Sequence, residues 1–82
     1  KRLHKRAERG RLHARILRAV LEYNPMYHRD LGALIGVSQP TISLITREKG
    51  LIAKRVIPQL KSLVQNGRLR LPDELKELVS QL

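Results

Sequence analysis

The sequence predicts an all-α fold, a compact bundle of about five helices behind a basic N-terminal segment. Apolar residues recur three and four apart along nearly the whole chain, which is the period of one helix face. Glycine, proline and Asn-Gly stops fall where each periodic run ends. No alternation of apolar and polar residues persists, no internal repeat is visible, and no Ser/Gly or Pro-rich linker divides the chain. The 82 residues are one domain's worth, and 41% are hydrophobic. With no Phe or Trp, and Tyr23 and Tyr27 as the only aromatics, Leu, Ile and Val have to fill the core. A domain of this size buries a modest core and is marginally stable alone.

The first helix ends near Asn24-Pro25, and its firm part is residues 11–23. There Leu12, Ile16, Val20 and Tyr23 share a face, joined by Leu17 and Leu21. Upstream, Leu3, Ala7, Gly10 and Ala14 keep the same spacing, so one long helix can start near residue 2. Gly10 costs such a helix about 1 kcal/mol relative to Ala. Neighbouring positive charges also repel, so residues 1–9 are expected to fray without a partner. A short second helix covers about residues 27–35, with Leu31, Leu34 and Ile35 facing in and Gly36 as its turn residue. Ser38 is placed to cap a third helix that tolerates Pro40 in its first turn, runs to about Glu48 and is ended by Gly50. Ile42 and Ile45 are its inner face. The fourth covers about residues 54–65, becomes regular near Ile57 because of Pro58, and stops at Asn66-Gly67. Val56, Leu60, Leu63 and Val64 are its apolar side. The fifth begins at Pro72, with Asp73 and Glu74 suiting the positive end of the helix dipole. Its stripe is Leu75, Leu78, Val79 and Leu82.

The charge is uneven. Seventeen Lys and Arg face seven Asp and Glu, a formal net charge of +10, which favours a polyanionic partner. Residues 1–20 hold eight cations (Lys1, Arg2, Lys5, Arg6, Arg9, Arg11, Arg15, Arg18) against Glu8, a net of +7. Residues 21–50 are balanced, and residues 51–82 carry a net +3. The chain therefore divides into a basic arm or helix extension, residues 1–10, and a folded domain, residues 11–82.

Several classes are excluded or disfavoured. The absence of Cys removes a disulfide scaffold and a thiolate zinc site and fits a cytoplasmic location. His4, His13 and His28 lack ligand spacing, so no metal and no cofactor is expected. No apolar run reaches the ~20 residues that a membrane span needs. No Ser-His-Asp set, Gly-rich phosphate loop or specific carboxylate pair supports an enzyme. The first residue is Lys rather than Met, so the chain is expected to be part of a longer protein with a further domain.

The chemistry-bearing pattern lies at about residues 28–48. Two helices crossing at a wide angle need a sharp turn, which Gly36 supplies from a left-handed backbone. Gly32 has no side chain, so the following helix can approach closely. Leu31, Ile35, Val37, Ile42 and Ile45 fill the angle between the helices. Gln39, Thr41, Ser43, Leu44 and Arg47 are left facing outward, and small or hydrogen-bonding groups of this kind can meet base edges in a major groove.

From Leu31-Gly32 through Gly36-Val37-Ser38-Gln39 to Ile42, the chain resembles the helix-turn-helix of lambda-type phage repressors and Cro proteins. The stretch from Val37 to Ser43 also resembles recognition helices of LysR-type bacterial regulators. The likeness covers some 20 residues and extends loosely to about residue 66. His28 stands where such repressors often have Gln, and the long basic N-terminal segment is not standard for them. The resemblance implies a sequence-specific, double-stranded DNA-binding transcriptional regulator, a phage or bacterial repressor acting in a bacterial cytoplasm. It would read the major groove with the helix at residues 39–48. The alternative is the DNA-binding module of a recombinase, transposase or plasmid-partition protein, which would share the fold and differ in another domain. A single-strand RNA reader is disfavoured, because such proteins stack bases on aromatics and both tyrosines lie outside the third helix.

On this reading Gln39 bonds an adenine edge or a phosphate, Thr41 bonds a base or packs on a thymine methyl, and Ser43 reaches a close base or the backbone. Ser38 is either an N-cap or a contact. Arg47 and Lys49 meet phosphates as the helix leaves the groove, and Lys54 and Arg55 hold the backbone or are merely solvated. His28 sits near a phosphate at the start of the motif or is an exposed, uncommitted histidine, and Arg29 beside it joins the DNA-binding set. Lys5, Arg6, Arg9 and Arg11 contact nucleic acid as a minor-groove arm or as a helix along phosphates, or serve only solubility. The last helix offers either a homodimer surface or a face for the domain's own core, and a further domain could also dimerise the protein.

Overall fold

The computed structural model describes the backbone of residues 2–82 and the side chains from Lys5 onward. Lys1 and the side chains of Arg2, Leu3 and His4 lie outside the described residues. Five helices follow in order: α1 Arg2–Tyr23, α2 His28–Ile35, α3 Gln39–Thr46, α4 Ile57–Gln65 and α5 Asp73–Ser80. No strand occurs among the described residues. Helix α1 packs on α3 and α5, α2 packs on α3, and α4 packs on α5. At about 1.5 Å per residue the 22 residues of α1 account for most of the 36 Å long axis of the molecule.

The core is aliphatic. Ile16, Leu17, Val20, Leu31, Ile42, Ile45, Val56 and Leu60 are buried together with Leu69 and Val79. The periodic faces expected of α1, α2, α3 and α4 supply most of this set. In α5, Leu75 and Val79 are turned into the domain's own core, with Leu78 and, beyond the helix end, Leu82 packed partly against it. Among the described residues no helix is long and apolar enough to cross a membrane.

Helix α1 starts at Arg2 and runs through a buried Gly10, as the long helix that the spacing allows. Three local expectations are corrected. Tyr23, expected on the inner face of α1, is 50% exposed, because α1 ends at this residue and the chain turns away over the next three. Gly50 does not end α3. The residue in the left-handed conformation is Glu48, at φ 63°. Lys49 N–H donates to Leu44 O at 2.8 Å and Glu48 N–H to Ile45 O at 3.0 Å, which closes the helix one turn earlier than the glycine suggests. Finally, Leu69 and Leu71 are buried in the irregular segment before α5, where no element was expected to reach the core.

Two buried polar side chains hold irregular segments against α1. Asn24 bonds both backbone groups of Arg70: its Nδ2 donates to Arg70 O at 3.0 Å and its Oδ1 accepts from Arg70 N–H at 2.8 Å. The same Nδ2 donates to Val20 O at 2.7 Å. His13 is buried on α1, and its Nδ1 accepts the Ile52 N–H at 2.9 Å, which places the ring proton on Nε2. Burial, and then the nearby Arg9 charge, hold the His13 pKa below its ordinary value of 6.5.

The folded state thus binds this proton less readily than the unfolded chain. Stability from His13 is fully present above the unfolded value of 6.5 and is lost as pH falls from there toward the lower folded value. Urea midpoints measured on either side of pH 6.5 should fall on acidification, and His13→Gln should flatten that fall. A wild-type midpoint that rises with acid would contradict the assignment.

Candidate nucleic-acid interface

The chain's outward polar helix, α3, is held by a backbone contact that only glycine permits. In α2, Gly32 is buried, and a Cβ built on it would overlap the Val37 carbonyl oxygen and stand 3.3 Å from the Val37 carbonyl carbon. Gly36 follows at φ 74°, the left-handed turn that the sequence predicts. The Gly32 carbonyl accepts the N–H of Gly36 and also that of Val37, the latter at 2.8 Å. Residues 36–38 are then sufficient to reverse the chain into α3.

Helix α3 turns Ile42, Ile45 and Thr46 inward, and the Thr46 hydroxyl donates to Ser43 O at 2.9 Å. Gln39, Pro40, Leu44 and Arg47 are exposed, with Ser43 half-buried at their edge. Leu44 is 40% exposed, an apolar side chain left among polar ones. Pro40, read from the sequence only as a tolerated helix-start residue, lies one turn from Leu44 and belongs to this outer stripe. Arg47 caps the C-terminus, and its Nε donates back to Ser43 O at 3.2 Å.

Ser38 occupies the N-cap position, where its carbonyl accepts the Ile42 N–H at 3.1 Å. Its hydroxyl makes no bond to the helix backbone and instead pairs with the Thr41 hydroxyl at 2.8 Å. A cap side chain serves the amide two or three positions on. Here the nearer of those is Pro40, which has no N–H. Thr41 is half-buried and tied to Ser38 rather than standing free on the outer face.

The cations fall into distinct places. Lys49 is exposed just past α3, and Lys54 and Arg55 are exposed in the turn before α4. His28, half-buried, and Arg29, exposed, open α2, where the Tyr27 N–H donates to Asp30 Oδ2 at 2.9 Å. Lys5, Arg6 and Arg9 are exposed on the N-terminal turns of α1, beside the segment that follows α3. Arg11 does not join them: two residues along a helix rotate it by roughly 160° from Arg9, onto the opposite face. Among the described residues no group of His, Asp and Glu is placed to hold a metal ion.

The structure thus brings Gln39, Ser43, Leu44 and Arg47 onto one helix face, with Ser38 and Thr41 paired at its start and Lys49 at its end. The sequence carried no signal for the Ser38–Thr41 pair. No family model, curated protein or solved structure matches the chain.

Proposed function

We propose that this domain binds double-stranded DNA in a sequence-specific way and acts as a transcriptional regulator, with α3 lying in the major groove. The observation that carries this reading is the outer face of α3. Gln39, Ser43, Leu44 and Arg47 are excluded from the core, on a helix whose position is fixed through Gly32. A helix about 10–12 Å across suits a groove about 12 Å wide. Gln39 is positioned to pair with an adenine edge, Leu44 to pack on a thymine methyl, and Arg47 to meet a guanine or a phosphate. A net charge of +10 supplies the sequence-independent attraction.

The test is selection from a random duplex pool, followed by titration of the winner and a scrambled duplex at two salt concentrations. A defined site bound at least ~10³-fold tighter than scramble is expected. Enrichment of no site, with only salt-sensitive binding, would refute base reading by α3. Symmetry of the winning site separates a dimer from a monomer. Gln39→Ala is expected to weaken the selected site by about 1–3 kcal/mol while leaving scrambled DNA unaffected. An equal loss on both duplexes would remove Gln39 from base reading.

A further inference from the structure

We infer that the N-terminal turns of α1 are a helical basic clamp for the phosphate backbone flanking the site read by α3, formed by Lys5, Arg6 and Arg9 with Lys49. The inference rests on the DNA-reading proposal for α3 and adds to it a second anchoring point and its residues.

The geometry begins with helical register. Lys5, Arg9, His13, Ile16 and Val20 recur four, four, three and four apart, so they share one face of α1. From His13 onward this face is core; from Lys5 to Arg9 the side chains are exposed. The charges therefore overhang on the side of α1 that packs against the body, not on the side facing away from it. Arg6 and Lys49 line a groove of about 250 Å³ with Gly10, Glu48 and Leu51. Lys5 and Arg9 join Arg6 around a neighbouring hollow over Leu51. Glu48 is the one acidic residue lining either depression. The Glu48 carbonyl oxygen lies 3.6 Å from where a Gly10 Cβ would stand, so the end of α3 and the overhang are in direct register.

The opposite face of α1 provides an internal comparison. Arg11, Arg15 and Arg18 form an exposed stripe there, but acids are interleaved with them. Arg15 approaches Glu74 at 3.9 Å and Glu22 is one turn beyond Arg18, whereas Glu8 lines a hollow with Lys5 and Arg9. That face sets two acids against three arginines, while the overhang with Lys49 sets Glu8 and Glu48 against four cations, an excess that a polyanion would relieve.

The occupant follows from dimensions. Residues 2–9 extend α1 by roughly 12 Å. A helix about 10–12 Å across does not enter a minor groove about 6 Å wide. Its target is then the phosphate strand alongside, not base edges. A preformed helix also spares the ordering cost that a flexible arm incurs on binding.

The experiment compares two triple variants of the full chain on a selected duplex and on a scrambled duplex. One is Lys5→Gln/Arg6→Gln/Arg9→Gln, and the other is Arg11→Gln/Arg15→Gln/Arg18→Gln. Gln has nearly the helix propensity of Lys and Arg, and far-UV circular dichroism checks that both variants fold. The slope of log affinity against log salt should drop by about two to three units in the first variant, at ~0.9 per phosphate contact, and by less than about one in the second. Base preference should be unchanged in both. Equal drops, or no drop in the first variant, would overturn the clamp. If the wild-type chain selects no site, the α3 reading fails, while the difference between the variants on scrambled DNA still tests the clamp.

Discussion

Replacing Gly32 by alanine should destabilise the domain by about 3 kcal/mol or more, although the same change at Gly10 should stabilise it by up to about 1 kcal/mol. Both glycines lie within helices, where Ala is favoured over Gly by roughly 1 kcal/mol. At Gly10 the nearest atom to a new Cβ is the Glu48 carbonyl oxygen at 3.6 Å, an ordinary contact, so helix propensity decides the sign. At Gly32 the new Cβ would overlap the Val37 carbonyl oxygen. That atom belongs to the turn, and it cannot swing aside as a flexible side chain would. The α2–α3 elbow would have to open, breaking the bonds that the Gly32 carbonyl accepts from Gly36 and Val37. Steric cost exceeds propensity gain. Urea denaturation followed by far-UV circular dichroism reads both variants, and midpoint shifts of the same sign would contradict this account.

Asn24→Ala is expected to cost about 2–3 kcal/mol, a large loss for a side chain outside the apolar core. Its amide serves three backbone groups: the carbonyl of Val20 and both polar groups of Arg70, which is 46 residues away in sequence. Without it the Arg70 N–H and C=O lose their partner beside the buried Leu69 and Leu71. Asn24→Asp makes the sharper test. A carboxylate still accepts from the Arg70 N–H but cannot donate to the two carbonyls. The Asp variant should therefore remain destabilised at neutral pH. Wild-type stability in it would show that the donated bonds contribute nothing. Hydrogen exchange at the Arg70 amide should accelerate in both variants.

These two residues also mark where sequence reading succeeds and where it stops. Gly32 and Gly36 were legible because their role is local: a helix pair with a tight turn needs a residue without a side chain and a left-handed one at fixed positions. The inner faces of α3 and α4 were legible because burial imposes a period. Asn24 looked like a helix stop, and nothing near it in sequence points to Arg70. His13 was read only as lacking ligand spacing, since an acceptor for the Ile52 amide is defined only once α1 meets the segment after α3. Leu69 and Leu71 did alternate with Arg68 and Arg70, but four residues are too few for a pattern to stand out. At the candidate interface, the outward set on α3 was legible apart from Pro40, which was missed, and Thr41, which was placed outward but is half-buried. The Ser38 and Thr41 hydroxyl pair was not, because a hydroxyl's choice of partner at a helix start is settled only in the folded geometry. Grouping Arg11 with Lys5, Arg6 and Arg9 treated the N-terminal charge as a cloud, whereas a continuous helix sorts it by angle.

The two tyrosines have a practical consequence. The chain contains no Trp, and Tyr23 and Tyr27 stand outside the core at 50% and 75% exposure. All intrinsic ultraviolet emission therefore originates at the surface corner where α1 hands over to α2. A body settling over that corner alters the surroundings of those rings directly. The molecule carries a label-free reporter at one corner of its surface.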